Sequence, residues 1–196
     1  MIKRQHDKDS AGFKIWLSDD EVCALLEQCS DLEVRIAIEL GVRCGLRSSE
    51  ILTVAPKDVV DTDAGWMLRV PAGKGDKYRE TPMPESLALR VLTLGDMRDE
   101  DGDVPVITVA STRSLRRWIT HLREALADRT ADDGWLELTM HDLRRTWATN
   151  CAEAGVDPLL VIDWGGWSDL ETFLEHYKGV YSPAAQRKNR AKVDWL

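Results

Sequence analysis

The chain of 196 residues is 43% hydrophobic and 31% charged, which provides one sizeable core and at most a small appendage. No apolar run approaches the roughly 18 to 20 residues that a membrane-spanning helix needs, and the start of the chain lacks the apolar stretch of a secretory signal. We therefore expect a cytoplasmic protein with no membrane contact. The four cysteines form no CxxC pair, so neither a zinc cage nor a disulfide framework is predicted, and we expect reduced core residues.

The net charge of −8 argues against a nucleic-acid partner, because phosphate binding requires a basic surface. Two stretches carry most of this charge. Residues 96–103 hold five acids and one arginine, and residues 128–137 hold four acids and one arginine. The remainder is about neutral and includes a basic cluster between Arg187 and Lys192. The composition therefore leaves a DNA partner open.

The first part of the chain predicts three helices. Ser18 and Glu21 form a capping box, since each side chain can bond a backbone N–H that the start of a helix leaves unpaired. A second helix is predicted from residue 32 to about residue 43 and ends at Gly45, which is a helix breaker. A short helix is expected over residues 47–53.

Between residues 56 and 84 the pattern changes to short β-prone pieces separated by Gly, Asp and Pro. The pieces cover residues 59–60, 66–70 and 78–81. They predict a small antiparallel three-stranded sheet, so the fold class is α+β and mainly α-helical. Residues 73–77 form the turn between the last two strands and project two ammonium groups, including that of Lys74, from a tight tip.

Helical periodicity returns in the second half of the chain. Helices are predicted over residues 85–94, 114–127, 140–154 and 158–164, and over a further segment that carries Tyr177. Thr139 with Asp142 is the predicted cap of the helix that ends at Gly155. Ser168 with Glu171 is the predicted cap of the helix that carries Tyr177.

Two pairs at helical spacing are candidates for chemistry. Arg47 and Glu50 lie three residues apart, so the carboxylate could hold the guanidinium, but a surface ion pair has the same spacing. His141 and Arg144 are predicted at the rim of a core helix, and Arg145 is predicted to point further away. The apolar stripe of that helix consists of Leu143, Trp147, Cys151 and Ala154. The rim pair either converges on one external group or is a helix-terminal histidine beside a solvated arginine.

Four segments carry a resemblance to one known family. The peptide GVRCGLRSSEIL resembles the first arginine box of the tyrosine recombinase (phage integrase) family, and GKGDKYRETPMP resembles its β-hairpin lysine segment. HDLRRTWAT resembles its HxLR box, and WGGWSDLETFLEHY resembles its final block with the nucleophilic tyrosine. The four boxes occur in the family's order between about Gly41 and Tyr177, which is a far more specific signal than any one box. The resemblance implies the tyrosine-recombinase catalytic domain as the fold.

Carried across by position, the resemblance implies a catalytic set of six residues. They are Arg47, Lys74, His141, Arg144, Trp167 and Tyr177. Trp167 occupies the family's second histidine position, a substitution that some members share, which implies a hydrogen-bonding or shape role in place of acid–base work. The spacing from Trp167 to Tyr177 is one residue longer than usual in the family, so Tyr181 is the reserve candidate for the nucleophile.

The implied reaction requires no metal and no cofactor. Arg47 and Arg144 would bind the nonbridging oxygens of a DNA phosphodiester with planar paired donors. Tyr177 would attack the phosphorus and take the DNA 3′ end as a phosphotyrosine. His141 would receive the phenol proton, and Lys74 would protonate the departing 5′ oxygen. Because the protein–DNA link stores the bond energy, rejoining needs no ATP.

The resemblance predicts a site-specific DNA recombinase, or integrase, of the kind that inserts a provirus. Its partners would be double-stranded DNA and further copies of itself, forming a tetramer in the synapse. Two alternatives stay open: a type IB topoisomerase-like enzyme, and a noncatalytic DNA-binding relative of the same fold.

The expected organisation has three parts. Residues 1–17 are a linker or N-terminal extension, residues 18–181 are the catalytic domain, and residues 182–196 are a basic C-terminal tail. The family's separate N-terminal helical domain has no room before Ser18, so we expect either a fragment of a larger integrase or a minimal enzyme. The tail ends in Trp195 and Leu196, and it either docks on a neighbouring protomer, as often in the family, or frays.

Overall fold

A computed structural model describes residues 2–5, 13–71, 78–98, 102–177, 183–193 and 195, without the side chains of residues 2–5, 175–177, 183 and 184. Within this part of the chain, no helix combines the length and the apolar character that crossing a bilayer requires.

The described residues form helices and two small sheets. The α-helices are α1 (Asp19–Glu27), α2 (Leu32–Cys44), α3 (Ser48–Ile51), α4 (Glu85–Met97), α5 (Thr112–Thr130), α6 (Met140–Ala154), α7 (Pro158–Gly165), α8 (Leu170–Tyr177) and α9 (Pro183–Arg190). The strands are β1 (Ile2–Gln5), β2 (Phe13–Trp16), β3 (Val59–Thr62), β4 (Gly65–Val70) and β5 (Arg79–Pro82). Short 3-10 helices cover Pro56–Asp58 and Asp133–Glu137.

Strands β3, β4 and β5 form an antiparallel sheet in that order, as the alternating β-prone pieces predict. Leu68 at the centre of β4 pairs with Val59 on one side and with Thr81 on the other. Leu68 is completely buried, because this face of the sheet packs on the helical core. The predicted class, α+β and mainly helical with a three-stranded antiparallel sheet, is confirmed.

The hydrophobic core is divided between two clusters that meet along α6. The larger cluster gathers side chains from α1, α2, α4, α5 and the sheet, with α2 packed lengthwise against α6. The smaller one fills the space between α6, α7 and α8. Its buried members are Trp147, Ala148, Val161, Ile162 and Phe173. Helix α6 therefore joins the main body to the last described helices of the domain.

Capping residues set most of the helix ends, as predicted. Ser18 and Glu21 exchange hydrogen bonds with each other's backbone N–H groups at the start of α1. Helix α2 ends at Gly45 and α6 at Gly155, both in the left-handed region with φ of +68° and +86°. The predicted cap of α8 is wrong: Asp169 accepts from the Thr172 N–H at 2.7 Å.

Strand β2, which the sequence pattern does not predict, pairs antiparallel with β1 and packs against α6. The backbone N–H of Ile15 donates to Asp142 Oδ1 at 3.2 Å, and that of Leu17 donates to Thr146 Oγ1 at 3.1 Å. Ile15 is fully buried. Residues 13–17 therefore belong physically to the helical body, while the division of the whole chain into three parts stays a prediction.

The expectation that all four cysteines are core residues is wrong for Cys23, which is exposed on α1. Cys29 and Cys44 are buried and Cys151 is half-buried, and none of the four is in a disulfide. Burial raises the pKa of the Cys29 thiol to about 11 and that of Cys151 to about 11. The thiols of Cys29 and Cys151 are therefore protonated and poorly reactive near neutral pH.

Candidate active site

The turn Gly165–Gly166 at the end of α7 is the point where the candidate residues meet. Gly166 has a φ of +67°, and a β-carbon there would lie 2.9 Å from Cδ of Arg79. A β-carbon at Gly165 would lie 1.9 Å from the Trp167 ring. Only glycine allows this close approach, which leaves the two carbonyl groups to accept hydrogen bonds from the site.

Arg144 is bound by carbonyl groups at two helix ends. Its Nη2 donates to Gly165 O at 2.6 Å and its Nη1 donates to Gly45 O. Gly45 caps α2 and Gly165 is the last residue of α7, so both carbonyls carry the partial negative charge of a helix C-terminus. The guanidinium carbon lies 4.2 Å from the centroid of the Trp167 ring, a cation–π arrangement.

This position corrects the predicted orientation of two arginines on α6. Arg144 is only 4% exposed, so it is not a rim residue. Arg145 does not point away: it donates to Asp142 Oδ1, and its side chain is 10% exposed. Ala154, predicted in the core stripe, is exposed at the end of the helix. Periodicity fixes where a β-carbon points, but a long arginine side chain can turn to a partner, which is on other elements for Arg144 and one turn earlier on α6 for Arg145.

Arg47 is held immediately before α3. Its backbone N–H donates to Glu50 Oε2 at 2.7 Å and its Nη1 to Glu50 Oε1 at 2.9 Å, so the pairing predicted from the spacing is present. Its Nη2 donates to Gly166 O at 3.0 Å. The Arg47 side chain is 34% exposed and lines a cleft of about 650 Å³.

The two guanidinium groups of Arg47 and Arg144 therefore bind carbonyls of adjacent residues. Because consecutive Cα atoms are about 3.8 Å apart, the guanidinium groups lie within roughly 10 Å of each other. They come from segments 97 residues apart in the chain. The Gly165–Gly166 turn thus brings two cations close together. The carbonyl groups that they bind offset part of the repulsion between them.

Arg79, at the start of β5, is a site residue that the sequence reasoning missed. Its Nη1 and Nη2 donate to the two Glu50 oxygens, each at 2.8 Å, and its Nε donates to Trp164 O at 2.9 Å. Its side chain is 5% exposed. The fork geometry is typical of a strong arginine–carboxylate pair. The signal in the sequence is an arginine in a strand that faces the core, where an unpaired charge is not tolerated.

Glu50 thus accepts hydrogen bonds from two arginines. Burial acts to raise the pKa of the Glu50 carboxyl, but the hydrogen bonds from Arg79 and from the Arg47 backbone outweigh burial, so the pKa lies below its ordinary value. The carboxylate is therefore ionised at neutral pH and fixes the Arg47 side chain in place.

A stack of aromatic side chains packs against the Arg144 guanidinium. Trp167 stacks on Trp147 with centroids 6.0 Å apart and an interplanar angle of 11°, and it meets the edge of Phe173 at 5.2 Å. Gly45 packs against the other end of the stack, since a β-carbon there would lie 2.2 Å from Trp147 Cε3. The Trp167 indole is therefore fixed by ring packing beside Arg144, and its part in catalysis stays a prediction.

The remaining predicted residues are placed in part. His141 is the second residue of α6, exposed, one helical turn before Arg144. Tyr177 is the last residue of α8, and its side chain is not among those described. Lys74 and Tyr181 lie outside the described residues. Three of the six candidates, Arg47, Arg144 and Trp167, are therefore gathered at the glycine turn, with His141 next to them along α6.

The site offers cations and aromatic surface rather than metal ligands. Among the residues that the structure describes, no three His, Cys, Asp or Glu side chains are placed to hold a metal ion. Two closely spaced guanidiniums match the nonbridging oxygens of a phosphate group. The arrangement is suited to binding a phosphodiester and stabilising negative charge on it.

Comparison with known proteins finds a matching family and similar folds. The sequence model of the phage integrase family matches residues 15–182. The tyrosine recombinase XerA of Thermococcus kodakarensis is 29% identical to this chain over 161 residues, which are 81% of this chain and 55% of that protein. The chain spans about half the length of the curated relatives it matches.

Two solved structures share the fold. The crystal structure of XerA recombinase matches with a TM-score of 0.73 and 24% identity, over 91% of this chain and 64% of that one. The Tn1549 transposon integrase, solved in complex with transposon right end DNA, matches with a TM-score of 0.69 and 19% identity, over 96% and 68% of the two chains. At these identities, the agreement concerns the fold.

Proposed function

Because the chain belongs to the phage integrase family, we propose that it cleaves and rejoins double-stranded DNA at specific sites through a 3′-phosphotyrosyl intermediate. The observation that carries the proposal is the convergence of Arg47 and Arg144 on the adjacent carbonyls of Gly165 and Gly166. A single phosphodiester group can bridge two guanidiniums held this close together. The DNA bound to the similar Tn1549 integrase gives independent support for a DNA substrate.

In the proposed reaction, Arg47 and Arg144 bind the nonbridging oxygens and stabilise the charge that builds on them in the transition state. The Tyr177 oxygen forms a bond to phosphorus as the bond to the 5′ oxygen breaks. His141 accepts the phenol proton, and Lys74 donates a proton to the departing 5′ oxygen. Attack of a 5′ hydroxyl on the phosphotyrosine reverses these steps and reseals the strand.

Trp167 has a supporting part in this proposal. Its ring lies against the Arg144 guanidinium and stacks on Trp147, so it limits the positions that Arg144 can take. Pre-organised donors need no reorganisation during the reaction, which is the largest contribution that such a site makes to the rate.

We further propose a tetramer on DNA. Exchange between two duplexes requires four strand cleavages, and each cleavage uses one tyrosine. Residues 18–181 would form the catalytic domain of each copy, and the basic residues 182–196, which include α9, would contact a neighbouring copy. Crosslinking on a duplex that carries two sites should then give four copies per synapse; a limit of one copy per duplex would contradict this arrangement.

The cleavage proposal can be tested without knowing the target site. The protein is incubated with a pool of nicked duplexes whose central base pairs are randomised, and adducts that survive detergent are recovered and sequenced. We expect a covalent adduct at a new 3′ end, where the enzyme cleaves the nicked strand close to the nick and the short 5′-hydroxyl fragment is released, and we expect it to be lost in Tyr177→Phe and retained in Tyr181→Phe. Retention in Tyr177→Phe would move the nucleophile to Tyr181, and no adduct from the unaltered protein would refute cleavage.

The recovered duplexes also separate the enzyme classes. Strand exchange between two duplexes that carry the site supports a recombinase. Relaxation of a supercoiled plasmid by single copies, without exchange, would support the type IB topoisomerase-like alternative. Sequence-specific binding without any adduct would support the noncatalytic alternative.

A further inference from the structure

Arg79 connects three parts of the site from the wall of the cleft. It begins β5, binds both oxygens of Glu50 in α3, and donates to the Trp164 carbonyl in α7. Its Cδ also lies against Gly166. Its side chain is 5% exposed in the wall of the cleft that Arg47 also lines, and all three of its guanidinium nitrogens donate to Glu50 or Trp164.

The charges explain why a second arginine is needed here. Arg47 and Glu50 alone would cancel, because their side chains form one ion pair. An anionic phosphodiester that approaches the Arg47 guanidinium would then also approach the negative charge of Glu50. Arg79 adds a second positive charge on the same carboxylate, so the three side chains together carry a net charge of about +1.

The hydrogen bonds explain the geometry. Both Glu50 oxygens are fixed by the Arg79 fork, and the same oxygens accept from the backbone N–H and Nη1 of Arg47. The Arg79 Nε holds Trp164 one residue before the Gly165 carbonyl that binds Arg144. Movement of Arg79 would therefore displace the anchors of both Arg47 and Arg144.

We propose that Arg79 is a positioning residue of the active site, which neutralises Glu50 and fixes Arg47 and the Gly165–Gly166 turn for phosphodiester binding. This inference rests on the proposed DNA cleavage. A positioning role differs from a purely structural role in one measurable respect. Once Arg79 is removed, the remaining Glu50 charge repels the substrate, so removing that charge as well should restore activity.

The test uses three variants of the pair. Arg79→Met removes the charge and keeps much of the apolar volume, Arg79→Lys keeps the charge without the planar fork, and Arg79→Met/Glu50→Gln removes both charges. The matched control is the Arg90–Glu39 pair between α4 and α2, another arginine on a buried carboxylate, at 2.9 Å. Arg90→Met and Arg90→Met/Glu39→Gln are the control variants.

Two functional readouts are measured for each variant, together with its Tm. The first is the single-turnover rate of adduct formation on a duplex recovered from the random pool. The second is the affinity for a fluorescein-labelled duplex of arbitrary sequence at low salt, where phosphate contacts dominate binding. All measurements are made well below the Tm of the least stable variant.

We expect Arg79→Met to form adduct about 100-fold more slowly, since a small displacement of catalytic groups has an effect of that size. Arg79→Lys should fall between this variant and the unaltered protein. Arg79→Met/Glu50→Gln should form adduct about tenfold faster than Arg79→Met. The double variant should also bind the labelled duplex more tightly than Arg79→Met does. The control variants should lower the Tm and leave the adduct rate within about twofold.

The inference is overturned if Arg79→Met binds the labelled duplex and forms adduct as the unaltered protein does, or if adding Glu50→Gln gives no recovery. An unaltered protein that forms no adduct would refute the proposed cleavage. In that case the duplex affinities still decide the charge argument, because equal affinity of Arg79→Met and the unaltered protein overturns it independently of catalysis.

Discussion

Replacing Gly45 by alanine tests how the end of α2 supports the candidate site. Gly45 has a φ of +68°, and its carbonyl accepts from Arg144. The new methyl group would lie 2.2 Å, 2.5 Å and 2.6 Å from three carbons of the Trp147 ring. All three separations are far below van der Waals contact, so the ring that stacks on Trp167 must move.

The expected loss of stability in Gly45→Ala has two parts. A non-glycine residue in the left-handed region costs about 1 to 2 kcal/mol. Forcing an extra carbon into a packed core costs typically about 1 to 3 kcal/mol more. Gly45→Ala should therefore lower the free energy of unfolding by about 2 to 5 kcal/mol.

Gly155→Ala is the matched control. Gly155 also ends a helix with positive φ, at +86°, but among the described residues nothing outside its own helix and its chain neighbours lies within 4 Å of an added β-carbon. This variant should lose only the backbone part, about 1 to 2 kcal/mol. Urea unfolding followed by circular dichroism measures both losses. If Gly45→Ala loses no more stability than Gly155→Ala, Trp147 does not pack against Gly45 as described.

Three further predictions concern buried charge and thiols. Asp142→Asn breaks a buried pair with Arg145 and should lower the free energy of unfolding by about 3 to 5 kcal/mol in urea; a loss below about 1 kcal/mol would contradict the buried pairing. The folded pKa of Glu50 lies below its ordinary value of 4.5, so its stabilising contribution is present above that pH and is lost as the pH falls through the folded pKa. Glu50→Gln should therefore lose less stability than the unaltered protein on acidification below about pH 4.5, and parallel losses would show that Glu50 is not stabilised as an ion. In the native protein near neutral pH a thiol reagent should modify Cys23 first, whereas rapid labelling of Cys29 would show that the core opens easily.

The sequence predicted the elements whose signals are local. Ser18 with Glu21 and the glycine that ends α2 act within one helical turn, so the bounds of α1 and α2 follow from neighbouring residues. The β-prone pieces predict the sheet for the same reason, since β-forming residues and the Gly, Asp and Pro that separate them are neighbours in the chain. The spacing of Ser168 and Glu171 predicts the cap of α8 at Ser168, whereas the structure places it at Asp169, whose carboxylate accepts from the Thr172 N–H.

The parts of the site that the sequence did not predict depend on distant residues. Arg79 binds Glu50, 29 residues earlier, and the Trp164 carbonyl, 85 residues later. Strand β2 is held by side chains of α6 nearly 130 residues away, such as Thr146. Periodicity could not place Arg144 in the interior, because its partners are carbonyls at the ends of two other helices. Such pairings are a product of the tertiary fold and leave no local pattern.

The most direct test of the central claim is a structure of Tyr177→Phe bound to a duplex recovered from the random pool. We expect the uncut scissile phosphate to lie in the cleft, with guanidinium nitrogens of both Arg47 and Arg144 within hydrogen-bonding distance, about 3 Å, of its nonbridging oxygens. A phosphate that contacts only one of the two arginines, or that binds on another face of the protein, would contradict the central claim.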